Sequence, residues 1–154
     1  MPEQDPPDVI VVVDPANRQP ALSRAAFDSL RIMGMPISEA REFRNSLIDI
    51  RTPKLIAAGT MTYVGLQFSI SPTAQFNTLV MWSRRNEVGF AYPVVRANKT
   101  NTATTSLADA AAVEAFYAAS ETAVRAFLDE GNALKSQVNA LATSAEVAAF
   151  VDPR

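Results

Sequence analysis

The 154 residues include no histidine and no cysteine. Without cysteine the chain has no thiolate nucleophile and no disulfide. Without histidine it has no imidazole base, and the usual zinc ligands go with both. Charge is also scarce, at 19% of residues against about a quarter in an average soluble domain. Long apolar runs are lacking. The strongest, Val9-Ile10-Val11-Val12-Val13, is far short of the ~20 residues of a membrane span. The opening residues Met1-Pro2-Glu3-Gln4-Asp5 are acidic where a secretion signal is basic. No membrane partner is expected. The side chains left for chemistry are carboxylates, lysine, hydroxyls and tyrosine, which point to binding or building rather than catalysis.

What is present is one domain's worth of chain, with room for an appendage. Such a length buries roughly two thirds of its unfolded surface and needs no staples. The net charge of −2 conceals an uneven distribution. Residues 1–17 carry net −4, residues 18–96 net +5 and residues 97–154 net −3. Ordinary scatter is one reading, and complementary patches that meet between subunits are the other. Low surface charge leaves area for contact with further copies, so a homo-oligomer is expected. No Lys/Arg run is interleaved with aromatics, so nucleic acid is not an expected partner.

Three segments are predicted. Residues 1–20 read as an extended arm with one strand. The three prolines of MPEQDPPD forbid a helix, and Val9–Val13 is a β-branched run. The strand either joins its own domain's sheet or adds to the sheet edge of a neighbour. Residues 21–37 read as a short helix and connector. Ser23 caps it, Ala26, Phe27, Leu30 and Met33 form its buried face, and Gly34 ends it. Residues 38–154 read as an α+β domain. Ser38 is predicted to cap a helix with the stripe Ala40, Phe43, Leu47 and Ile48, stopped by Pro53. Arg41, Arg44 and Arg51 lie off that stripe, as a solvated row or a site for an anionic partner.

Tyr63–Ile70 alternates apolar and polar residues and reads as a half-buried strand. Ser71-Pro72 then opens a helix to about Arg85 that buries Phe76, Leu79, Val80 and Trp82. Phe90–Arg96 is a second strand, with Thr102–Thr105 returning beside it. The last third is helical: fifteen of the 26 alanines lie between Ala108 and Ala149. Ser106 with Asp109 and Thr143 with Glu146 are spaced as capping boxes. The fold class expected is α+β: a small antiparallel sheet packed against amphipathic helices, with an extended N-terminal arm.

Constellations able to carry chemistry are few. Glu39/Glu42 and Asp129/Glu130 are surface pairs on predicted helices. A catalytic carboxylate needs an apolar pocket or a partner that shifts its pKa. Asp5, Asp8 and Asp14 fit no calcium loop. Lys54, Lys99 and Lys135 follow no glycine-rich phosphate loop. No catalytic residue, metal or cofactor is therefore expected. The interface candidates are Val9, Ile10, Val11, Val12, Val13, Arg41, Arg44, Trp82 and Tyr92, with Trp82 and Tyr92 equally readable as core aromatics.

One ordered set of motifs says more. Tyr63–Asn77 reads YVGLQFSISPTAQFN, and Ala91-Tyr92-Pro93 follows downstream. Ser106-Leu107-Ala108-Asp109 opens the alanine-rich helix, and the chain ends ALKSQVNALATSAEVAAFVDPR over Ala133–Arg154. Residues 38–154 resemble an uncharacterised domain of proteins encoded in the tail-fibre regions of tailed bacteriophages. They are also similar to the C-terminal part of some phage tail-fibre assembly proteins. The resemblance implies a structural protein of the virion tail, in the baseplate or fibre-attachment region, with other tail proteins as partners. It equally admits a fibre-assembly chaperone that leaves the particle. An enzyme built on carboxylates alone is the third possibility.

Overall fold

The structure, a computed structural model, describes residues 9, 10 and 22–154, with side chains from Ser23 onward. The fold is α+β, with helices α1 (Arg24–Met33), α2 (Ile37–Ala58), α3 (Pro72–Arg84), α4 (Ala110–Ala140) and α5 (Ser144–Ala149). Three antiparallel ladders accompany them: β1 (Val9–Ile10) with β2 (Leu22–Ser23), β3 (Thr60–Tyr63) with β4 (Leu66–Ser69), and β5 (Val94–Ala97) with β6 (Thr104–Leu107). Each ladder is a separate two-stranded sheet, so the single sheet predicted from the sequence is divided among hairpins. The chain forms two compact units, one of Met1–Ile48 with Leu134–Arg154 and one of Asp49–Ala133.

In the first unit, Ser23 caps α1 by accepting the Ala26 amide at 3.2 Å, as predicted. The buried face is not the predicted one. Ile32 and Asp28 are buried while Leu30 and Met33 are more than half exposed. The reason lies in α5: the Ser29 hydroxyl donates to the Ala148 carbonyl at 3.1 Å, which turns the Ser29/Ile32 side inward. Helix α2 begins one residue before Ser38, with the Pro36 carbonyl accepting from Ala40 at 2.9 Å, so Ser38 lies inside the first turn rather than capping it. Three residues of its expected stripe are in place, Ala40 and Ile48 in the core and Phe43 packed against it, while Leu47 is half-buried. Leu134 and Val138 of α4 and Val147 and Ala148 of α5 complete that core.

In the second unit, α2 continues through Pro53 to Ala58. An interior proline costs about 3 kcal/mol. The continuation is held by Ile56, which is buried in the second core. Gly59 follows where the backbone comes closest to its neighbours: a Cβ there would stand 3.0 Å from the Leu55 carbonyl and 3.0 Å from the Phe127 ring. The predicted strand Tyr63–Ile70 is a hairpin. Tyr63 pairs with Leu66, and Val64 and Gly65 form a two-residue turn at φ 49° and 74°. Two positive φ values are the signature of a type I′ turn, whose twist matches that of the strands. The core joins Met61, Phe68 and Ile70 to Met81, Leu107, Val113 and Phe116. The Phe116 ring meets Tyr63 and Phe68 edge-on at 5.2 and 5.1 Å.

The β5–β6 hairpin pairs Val94 with Leu107 through to Ala97 with Thr104. Both strands lie later in the chain than Phe90–Arg96 and Thr102–Thr105. Ser106 is therefore a strand residue. Asp109 alone caps α4, its carboxylate accepting the Ala112 amide at 2.8 Å. Helix α4 runs unbroken through Gly131.

Candidate functional site

The site begins with the phase of α3. Ser71 accepts the Ala74 amide and Pro72 opens the helix. The Gln75 amide donates back to the Ile70 carbonyl at 2.7 Å, fixing the first turn against β4. Thr78 is buried because its hydroxyl is satisfied by the Ala74 carbonyl at 2.8 Å. Thr78 and Met81 thus face the core, and the predicted core residues Phe76, Leu79 and Val80 face outward, exposed by 65%, 44% and 38%. That correction creates a feature: an apolar helix face without a partner among the described residues.

Helix α4 supplies the other wall. Val113 and Phe116 point into the core, so Tyr117 and the residues at helical spacing after it line a groove against α3. The hollow has a volume of about 530 Å³ and is lined by Gln75, Phe76 and Leu79 on one side and Tyr117, Ser120, Val124 and Leu128 on the other. Leu128 is 47% exposed, and Ser120 is buried on the α4 wall. Glu121, Arg125 and Asp129 contribute charges of alternating sign. One end is held rigid by an aromatic stack. Trp82 lies on Tyr117 at 4.7 Å between centroids, and the Arg85 guanidinium covers the Trp82 ring at 4.3 Å. Glu114 accepts from both the Trp82 indole and Arg85 at 2.7 Å. The Tyr117 hydroxyl donates to Glu121 at 2.6 Å. That bond and the carboxylate charge raise the tyrosine above its ordinary pKa, so it remains a protonated donor.

The other interface candidates are placed elsewhere. Arg41 donates to the Leu141 carbonyl at 2.6 Å, and Arg44 donates to the Val147 and Ala148 carbonyls at 3.2 and 2.9 Å. Neither is a solvated row. Both guanidinium groups satisfy carbonyls at the C-terminal ends of α4 and α5, where the helix dipole favours a cation. Burial pushes the Arg44 pKa down. Tyr92 meets Phe90 edge-on and donates to the carbonyl of Arg85, the residue whose guanidinium covers Trp82, at 2.6 Å. Val9 and Ile10 pair through backbone with Ser23 and Leu22 of their own chain. Val11, Val12 and Val13 lie outside the described residues. Among the described residues no group of three or more carboxylates could hold a metal ion, and no helix is long and apolar enough to cross a membrane.

None of the described sequence candidates lines the groove, and Trp82 adjoins it through its stack on Tyr117. The α4 rim of the groove was missed. Two signals were available. Leu79-Val80-Met81-Trp82 spans about 300° of helix at 100° per residue, so no single core could absorb it. Tyr117, Glu121, Arg125 and Asp129 recur at steps of four, one polar stripe along an otherwise alanine-rich helix. With the geometry established, comparison adds no relative: no known protein family, no curated protein and no solved structure matches the chain.

Proposed function

We propose that this chain is a non-enzymatic bacteriophage tail protein that works through protein–protein contacts, as an adaptor in the baseplate or fibre-attachment region of the virion. The observation that carries the contact reading is the open groove between α3 and α4. Phe76, Leu79 and Leu128 stand out of a wall that also bears tyrosine and mixed charge. Apolar surface rimmed by polar groups marks an interaction site, and an aromatic anchor with charged neighbours is the usual composition of an interface centre. The tail assignment is supported by the ordered resemblance over residues 38–154. Mass spectrometry of purified virions tests it: the protein is expected at a fixed copy number relative to the tail proteins, and its absence from washed particles sinks the adaptor role.

The resemblance to fibre assembly proteins, strongest over Ala133–Arg154, supports a second reading as a chaperone for fibre proteins. Co-expression separates the two. A chaperone raises the yield of assembled fibre and is missing from the particle, whereas an adaptor leaves fibre yield unchanged.

A further inference from the structure

We propose that the α3–α4 groove is the contact between two copies of this chain, related by a two-fold axis that meets the rim of α4 midway between Glu121 and Arg125. This rests on reading the groove as a protein-contact surface and names its occupant.

Charge complementarity selects the second copy as the occupant. Along α4 the rim reads Tyr117, Glu121, Arg125 and Asp129, one residue every four. Arg125 and Asp129 make no hydrogen bond or ion pair among the described residues, although each has an oppositely charged neighbour four positions away. Their charges are open to a partner. A second copy lying antiparallel about that midpoint brings position 121 of each helix against position 125 of the other, and 117 against 129. Glu121 then meets Arg125 of the second copy, twice by symmetry. Tyr117 lies opposite Asp129 of the second copy, also twice, and its hydroxyl exchanges the Glu121 carboxylate, now paired with Arg125, for that of Asp129. All four rim residues find a complement in the same stripe reversed, as an isologous contact requires. A parallel copy would set Glu121 on Glu121 and Arg125 on Arg125, so the pattern selects one direction. The apolar parts obey the same symmetry. Phe76 and Leu128 project while the hollow between the helices recedes, so each copy offers both the knob and the hole.

Sedimentation equilibrium of the full chain over a wide concentration range tests the proposal. The natural chain is expected to dimerise reversibly. Glu121→Arg and Arg125→Glu each place like charges across the axis, and each is expected to weaken the dimer roughly tenfold or more. An equimolar mixture of the two variants is expected to recover association, because one chain then presents two acids to the other's two bases. Both positions are exposed, so helix content by circular dichroism is expected to stay unchanged. A chain that is monomeric at every concentration overturns the proposal, as does a dimer indifferent to both substitutions. Leu79→Lys distinguishes this from failure of the contact reading. If it blocks entry into particles while the natural chain is monomeric, the groove binds another protein and the second copy is excluded.

Discussion

At the scale of single residues, Val64 is the anomaly. It occupies the first central position of the β3–β4 turn at φ 49°, with 75% of its surface exposed. A β-branched side chain in left-handed backbone is strained, and one so exposed gains little packing in return. Gly65 at φ 74° meets no such conflict. Asparagine tolerates this conformation and is the preferred residue before glycine in a type I′ turn. Val64→Asn is therefore expected to stabilise the protein by about 1 kcal/mol, read as a higher urea midpoint at unchanged slope. A loss of stability would show that Val64 makes a contact worth more than its strain. The same residue explains why the hairpin was illegible. Val64 alternates correctly with Leu66, Phe68 and Ile70, so periodicity draws one strand through what is a turn. Hydrophobic period reports the face of a side chain and is blind to a positive φ.

At the scale of elements, the end of the chain is governed by one capping box. Thr143 accepts the Glu146 amide at 3.2 Å, and the Glu146 carboxylate accepts the amides of Ala142 and Thr143 at 2.8 and 3.0 Å. Those two backbone donors, Ala142 first, hold its pKa below the ordinary 4.5. A carboxyl depressed on folding stabilises the native state above its unfolded pKa and loses that contribution as pH falls through the folded value. Glu146→Gln keeps an acceptor but not the charge. Urea unfolding of both chains should show the natural protein more stable at pH 6, with the gap closing below pH 4.5 as Glu146 protonates. A gap that stays constant into the acid range would assign the effect to shape rather than charge. This box was legible because its partners are three positions apart, as were the Ser23 and Ser71 caps. The facing of α1 and α3 was not. Both carry apolar residues on more than one side, and the choice was made by distant groups: the Ala148 carbonyl for Ser29, and the core of Leu107, Val113 and Phe116 for Met81. The α3–α4 groove shares that origin, since its apolar wall is the face α3 did not bury.

At the scale of the molecule, the first unit is legible only in three dimensions, because it joins two segments far apart in sequence, whereas the second is the continuous stretch Asp49–Ala133. Residues 24–48 meet 134–150 through Arg41, Arg44 and Ser144, which donate to the Leu141, Val147 and Met35 carbonyls. The same contacts absorb part of the basic excess of residues 18–96, and Arg85 on Glu114 absorbs more. Two helices nevertheless serve both cores. Helix α2 places Ile48 in the first and Ile56 in the second, and α4 places Phe116 in the second and Val138 in the first. Helix formation is cooperative, so losing one core withdraws support from a helix on which the other depends. The units are therefore expected to unfold together. Phe116→Ala should cost about 3–5 kcal/mol, and Val138→Ala about 2 kcal/mol. Trp82, the sole tryptophan, reports the second unit by fluorescence, while amide exchange at Ile48 and Val138 reports the first. Each substitution should shift both probes to a common midpoint. If Phe116→Ala moves the Trp82 transition and leaves the Val138 amide fully protected, the shared helices do not couple the cores, and each unit is a folding unit of its own.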